Sequence, residues 1–374
     1  MADLRDLDRR LDIAIIGTRG VPPRYGGFET FAAELGRRLV ERGHGVTVYC
    51  RSSLYPEADT EWCGVRRVDL PAIRHKYLET VSHSFLSAIH AAGASYDAAI
   101  LCNAANAFVL PILRAFRVPV AINVDGVERK RKKWNVLGRM VYQIGESWSA
   151  AMSDRLIADA EVIAEYYRTT FSASSRVIAY GSEIGWGEES DVLERLGLSS
   201  RRYVLYVSRF EPENNPMGVV ESYGRVRTDV PLVMVGDAPY SRNLIDDVRR
   251  KADRRVLFPG ALYGAGYAAL QSNALVYVQA TEVGGTHPAM IEGMASGGAV
   301  VANDTPENRE VGGDTVRYFC LGEAETLSRL LQESVDQPES LDSWRRIAKK
   351  RAAEVYSWSA VTDQYEALLR DLAV

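Results

Sequence analysis

Ala274-Leu-Val-Tyr-Val-Gln-Ala280 runs into Thr281-Glu-Val-Gly-Gly-Thr-His-Pro-Ala-Met-Ile-Glu292. An apolar strand, a glycine-rich turn and a helix start follow one another within nineteen residues. Such a turn aims backbone N–H groups and the positive helix end at an anion, most naturally a diphosphate. Glu292 is expected about two turns into the helix, where its carboxylate can accept hydrogen bonds from ribose hydroxyls. This is the pattern of a sugar-nucleotide site, and it sets the reading of the rest of the chain.

Outward from this unit, apolar runs alternate with helical patterns, the signature of βαβ units and parallel sheets. Before it lie strands at Tyr203–Val207, Leu232–Gly236 and Val256–Phe258; after it come Ala299–Ala302 and Val316–Phe319. An earlier series comprises Ile13–Gly17, Val46–Arg51, Val65–Leu70, Ala98–Cys102, Val120–Val124, Arg155–Ala158 and Val177–Ala179. The polar stretch from Gly181 to Ser200 separates the two. Two Rossmann-like domains facing one another across a cleft fit this order. Residues 1–182 are expected to form the first, acceptor-binding domain, and 183–345 the second, nucleotide-sugar-binding domain. The helical segment 346–374 is expected to pack back toward the first.

At 374 residues the chain is long enough for two cores. Its 47% hydrophobic and 25% charged residues are ordinary for a soluble protein. The net charge of −4 argues against general nucleic-acid binding. No apolar run reaches membrane-spanning length and the N-terminus is polar, so a cytoplasmic protein is expected. Cys50, Cys63, Cys102 and Cys320 are scattered and read as reduced thiols without a metal.

The first strand leads into Thr18-Arg-Gly-Val-Pro-Pro-Arg-Tyr-Gly-Gly-Phe-Glu-Thr30, and a helix with Phe31, Leu35 and Leu39 on its apolar face follows. Gly17, Arg19 and Gly20 are candidates for the donor phosphate. Arg24, Tyr25, Gly26, Gly27 and Phe28 are candidates for the acceptor, on a loop that closes over either. A dinucleotide site is disfavoured: Gly17-Thr-Arg-Gly20 is not G-x-G-x-x-G, and the second strand ends Tyr49-Cys-Arg51 without an acidic residue.

These segments resemble the retaining glycosyltransferases of family 4, which have the GT-B fold, and more narrowly their bacterial rhamnosyltransferase branch. The residues carrying the resemblance are the Gly17–Phe31 loop, Asn123-Val-Asp-Gly-Val-Glu128 with Arg131, Lys133 and Trp134, Ser208-Arg-Phe-Glu-Pro-Glu-Asn-Asn-Pro216, and Gly284-Gly-Thr-His-Pro288 with Glu292. The resemblance implies that Arg209 clamps the donor diphosphate, in the bidentate manner a guanidinium allows. Where the family carries a lysine, this chain has Asn214 or Asn215. Of the family's paired glutamates, Glu292 matches the second, whereas Gly284 stands at the first. Glu282 lies two residues upstream, and backbone groups at Gly285, Thr286 and His287 are the expected substitutes. His287 reads equally as a phosphate-side donor or a helix-start residue. The resemblance makes Asp125, Arg209 and Glu292 the catalytic candidates. Asp125 either orients acceptor or donor hydroxyls or is a turn carboxylate.

Arg129-Lys-Arg-Lys-Lys-Trp134 is a local positive field suited to a lipid-linked pyrophosphate acceptor or a membrane surface, with Arg131 and Lys133 the acceptor candidates. The rival reading of such a run is a solvated face. His75, Lys76 and His83, before a helix read at Phe85–Ala92, are further candidates for the acceptor cleft. No cofactor or metal is implied. The expected reaction is transfer of L-rhamnose from dTDP-rhamnose to a glycan or lipid-linked glycan. A UDP- or GDP-hexose donor, or a non-catalytic nucleotide-sugar-binding partner, is the alternative.

Overall fold

The computed structural model describes residues 9–23, 26–55, 59–75, 78–127, 129, 136–182, 191–237 and 242–373. The chain divides into two compact units. One comprises residues 1–129, 134–180 and 358–374; the other comprises 130–133 and 181–357.

The first unit begins with β1 (Asp12–Ile16), α1 (Gly27–Glu41) and β2 (Gly45–Arg51). It continues through β3 (Glu61–Trp62), β4 (Val65–Leu70), α2 (Glu79–Ala92), β5 (Ala98–Cys102) and α3 (Leu110–Ala115). Then follow β6 (Val120–Asn123), α4 (Val136–Met152), β7 (Arg155–Ala158), α5 (Glu161–Phe171) and β8 (Arg176–Val177). The sheet order is β3-β4-β2-β1-β5-β6-β7-β8. Every pairing is parallel except the short antiparallel edge β3–β4. All five residues of β5 are buried, as a strand covered by helices on both faces requires.

The second unit opens with α6 (Val192–Arg195), β9 (Val204–Val207), α7 (Pro216–Tyr223), β10 (Leu232–Val235) and α8 (Arg242–Lys251). Next come β11 (Val256–Gly260), α9 (Gly264–Asn273), β12 (Val276–Gln279), α10 (Pro288–Ala295) and β13 (Ala299–Asn303). It ends with α11 (Pro306–Gly312), β14 (Arg317–Phe319), α12 (Ala324–Asp336) and α13 (Leu341–Val355). Its sheet is wholly parallel, in the order β11-β10-β9-β12-β13-β14.

The last helix, α14 (Trp358–Leu372), belongs to the first unit. Phe31 and Tyr365 meet with ring centroids 5.1 Å apart, and Asn123 Nδ2 donates to the Tyr365 hydroxyl at 2.8 Å. The division therefore falls after Ser357, later than the expected boundary at 346. The reason lies in two unrelated apolar stripes. Leu341, Ala348 and Ala352 are buried on α13, where it packs on α10 and β13, whereas Trp358, Val361, Tyr365 and Leu369 form the buried stripe of α14.

Each sheet changes winding direction once. In the first, β1 is flanked by β2 and β5; in the second, β9 is flanked by β10 and β12. Open α/β sheets bind ligands beyond the carboxyl ends of the strands at such points. Gly17–Phe28 follows β1, Ser208-Arg209 follows β9, and Thr281–His287 follows β12.

Candidate functional site

In the second unit, Arg209 leaves the end of β9 with its side chain 40% exposed and its Nη1 only 3.7 Å from Glu211 Oε1. The guanidinium stays at the surface, within reach of an anion. The turn behind it is braced: Asn214 Nδ2 donates to the Arg209 carbonyl at 2.7 Å, and the Tyr206 hydroxyl donates to the Asn214 carbonyl at 2.8 Å. Asn215 has φ +54°, a left-handed conformation that asparagine tolerates, and it opens α7. Its Nδ2 donates to the Ala280 carbonyl at 2.9 Å and to Glu282 Oε1 at 3.1 Å. Glu282 N donates to the Glu213 carbonyl at 2.8 Å. The two asparagines, expected beside the donor, thus use their amides on protein oxygens. They tie the loop after β9 to the loop after β12.

That second loop opens α10 with His287 as N-cap and Pro288 in the first turn. The His287 side chain makes no cap bond. Its ring lies over Gly284: a Cβ there would collide with Cε1 and approach Nε2 at 3.1 Å and Nδ1 at 3.2 Å. Gly284, Gly285 and Thr286 are buried, and His287 is half-buried. Because α10 begins at Pro288, Glu292 is its fifth residue and stands about one turn in, not two. It accepts a short hydrogen bond from the Tyr267 hydroxyl of α9. Gln271 Nε2 donates to the same Tyr267 oxygen at 3.0 Å and to the Ala289 carbonyl at 3.2 Å. Burial, then the Glu292 charge, pushes the Tyr267 phenol well above its usual range, so it stays a donor. The Thr281 carbonyl is held by Asn303 Nδ2 at 3.3 Å and Asn308 Nδ2 at 3.4 Å.

In the first unit, Gly17 has φ +94°, and a Cβ would lie 2.6 Å from the Cys102 carbonyl oxygen. Only glycine lets β1 turn this close to β5. Gly20 likewise lies on Cys50, with φ +123°. Arg19 N donates to Glu29 Oε1 at 2.9 Å, and the Arg19 carbonyl accepts from Arg51 N at 2.9 Å. Burial raises the Glu29 carboxyl, against the pull of the Arg19 N–H and the Arg19 and Arg51 charges. Gly26 caps α1 in an extended conformation and Gly27 begins it. Phe28 packs edge-on against Phe31 and Tyr180, at centroid distances of 6.4 and 6.3 Å.

Asp125 stands past the end of β6 with φ +57°, and its N–H donates to Asn123 Oδ1 at 3.1 Å. Burial raises the Cys102 thiol, and the Glu29 and Asp125 charges push it further, so both carboxylates act on the end of β5. Asn106 joins the group by donating to the Cys102 carbonyl at 2.7 Å. Asn106 was not singled out in the sequence, and Asn123 and Glu29 stood there only as members of quoted motifs without a role of their own.

His83 differs from expectation: it is fully buried on α2, not on a cleft surface. Desolvation holds its ring at a pKa of about 4, with the Arg51 charge adding to that effect against the Cys50 backbone and Glu79. Arg129 donates to Glu146 Oε2 at 3.1 Å and to the Tyr166 hydroxyl at 2.8 Å. Arg24, Tyr25, Lys76, Arg131 and Lys133 lie outside the described residues. Among the described residues, no group of three or more His, Cys, Asp or Glu is placed to hold a metal ion.

Residues 193–351 match the family described as glycosyl transferases group 1, and residues 10–183 match a domain of unknown function, DUF1972. The chain has the GT-B fold. Over 97% of its length it superposes on 99% of sucrose-phosphate synthase from Thermosynechococcus elongatus, with TM-score 0.83 at 20% identity. Anabaena HepE in complex with UDP-glucose matches 97% of this chain and 100% of its own, with TM-score 0.79 at 15% identity. The catalytic domain of starch synthase IV from Arabidopsis thaliana, bound to ADP and acarbose, matches 98% and 100%, with TM-score 0.74 at 13% identity. A comparison with curated protein sequences finds no match.

Proposed function

We propose that this protein is a retaining glycosyltransferase that moves L-rhamnose from dTDP-rhamnose onto a glycan or lipid-linked glycan acceptor in surface-polysaccharide synthesis. The observation carrying the donor site is the placement of Arg209 and the start of α10 at the ends of neighbouring strands β9 and β12, with Glu292 one turn into α10. Arg209 and the helix start receive the diphosphate, and Glu292 receives the ribose hydroxyls. The leaving diphosphate takes the acceptor proton, while the cation and the helix end stabilise its growing charge. In the first unit, Asp125 and the Gly17–Phe28 loop orient acceptor hydroxyls, and the buried Glu29 fixes the loop through Arg19.

The sugar rests on the likeness of these motifs to the rhamnosyltransferase branch. A UDP-hexose donor is the second reading, favoured by the UDP-glucose complex of HepE. A lipid-linked acceptor is met at a membrane, where the sequence run Lys130–Lys133 supplies cations. Transfer assays with dTDP-rhamnose, UDP-glucose and GDP-mannose in competition separate the readings. Rhamnosyl product with retained anomeric configuration supports the proposal; exclusive use of another donor replaces the sugar, and no transfer or donor hydrolysis with any of them overturns the enzyme.

A further inference from the structure

Helices normally turn their apolar stripe toward the core. Two neighbouring helices of the first unit do the opposite. On α2, His83, Ser84 and Ser87 are buried together with the small Ala88 and Ala91, while the large Val81, Phe85 and Ile89, four residues apart, are 44–49% exposed. On α4, Gly145, Glu146 and Ser149 are buried, while Met140, Ile144 and Trp148 repeat the same spacing at the surface. The inward face of α4 is fixed by Gly145, since a Cβ there would lie 2.5 Å from the Ala104 carbonyl oxygen. Both helices pack against α3 and the 3-10 turn 104–109, so the stripes belong to one helical layer. Of the fourteen large apolar side chains exposed among the described residues, eleven fall between Ile73 and Trp148. A groove of about 310 Å³ runs along the α4 stripe, lined by Met140, Ile144, Trp148 and Phe171 with Gln143 and Ser147.

On α2, α3 and α4, and in the turn after α3, the exposed charges have one sign, whereas α5, whose Phe171 lines the groove, carries exposed Glu161 and Glu165, the latter paired with Arg168. Arg114 and Arg117 are exposed on either side of Phe116, itself 63% exposed, and Arg139 is exposed on α4. The acidic residues of α2, α3 and α4 are Glu79 and Glu146, and each is held by an arginine, Arg51 at 3.2 Å and Arg129 at 3.1 Å. Exposed apolar side chains interleaved with free cations suit an interface that is apolar beneath and anionic at its surface. Among the described residues no helix is long and apolar enough to cross a membrane. We infer that the α2–α4 face docks on the surface of an anionic phospholipid bilayer, with Phe85 and Ile144 entering the headgroup region and Arg114, Arg117 and Arg139 meeting lipid phosphates.

The inference concerns where the protein sits, and it stands whether or not the donor is dTDP-rhamnose. The test is co-sedimentation of the full chain with vesicles of phosphatidylcholine, with and without phosphatidylglycerol. Wild type, Phe85→Ser/Ile144→Ser and Arg114→Gln/Arg117→Gln/Arg139→Gln are compared. Wild type should bind the anionic vesicles, and each variant should lower the partition coefficient at least roughly tenfold. High salt should weaken wild type more than the arginine variant. Nucleoside diphosphate binding, measured in parallel, should be equal in all three, which separates this face from the donor site. Absent vesicle binding, or binding unchanged in both variants, overturns the inference. So does a concentration-dependent dimer that Phe85→Ser/Ile144→Ser abolishes without any vesicle binding, since the face would then belong to a second copy of the chain.

Discussion

The imidazole of His287 occupies the space that any side chain at position 284 would need. Glycine at 284 and histidine at 287 are therefore one structural choice, not two. Gly284→Ala must drive the ring aside, and His287→Ala removes the obstacle. The double variant should depart from additivity in nucleoside diphosphate affinity by about 0.5–3 kcal/mol. Strictly additive calorimetric affinities would mean that the ring and the glycine are independent.

Arg209 is surface-exposed and, among the described residues, its side chain makes a long ion pair with Glu211, so removing it should leave stability unchanged. The proposed function gives it, from its place at the end of β9, a charge-assisted role on the leaving diphosphate. Arg209→Ala should lower kcat/KM roughly 100- to 1000-fold, with Arg209→Lys intermediate. Wild-type turnover in Arg209→Ala, measured under single-donor conditions, would remove it from the mechanism.

Tyr267 fixes the Glu292 carboxylate from a helix twenty-five residues earlier. Tyr267→Phe deletes the donor and leaves Glu292 with one partner fewer, at an expected cost of about 1–3 kcal/mol in folding stability. Donor KM should rise more than kcat falls, because the proposed Glu292–ribose contact would be shared by ground and transition states. A Tyr267→Phe protein with wild-type melting and wild-type KM would show that the hydrogen bond is not functional.

Much of this was legible in the residues. β4, β5 and β7 fall where their apolar runs predict, and the glycine turn before α10 and the exposed Arg209 at a strand end follow from local sequence. β3 was missed because two residues cannot display an alternating pattern. α2 starts at Glu79, six residues before the helix read at Phe85, since its first turn is polar. Periodicity marked the amphipathic helices but not which stripe faces inward, so the inversion on α2 and α4 was invisible. Nor does spacing pair Tyr267 with Glu292 or Asn215 with Glu282; both depend on how the sheet brings loops together.

Acid stability should report the buried His83. Its folded pKa of about 4 lies below the unfolded value near 6.5, so the unfolded chain binds the proton first. Stability is then lost as pH falls from about 6.5 toward 4, by on the order of 3 kcal/mol. Glu366 acts lower: burial raises it, but hydrogen bonds from Arg42, Arg370 and His44 outweigh that and hold it at about 2. Its contribution is present above the ordinary glutamate range and fades as pH falls toward 2. Urea titrations of wild type and His83→Leu between pH 7 and 4 should diverge in slope; parallel curves would place the acid sensitivity elsewhere.

Thermal unfolding of wild type and Arg209→Ala against dTDP, UDP, GDP and NAD tests the central claim most directly. A nucleoside diphosphate at about 100 times its dissociation constant should stabilise wild type by roughly 2.7 kcal/mol, with dTDP foremost, and stabilise Arg209→Ala far less. Stabilisation by NAD alone, or equal stabilisation of both proteins, would contradict the account.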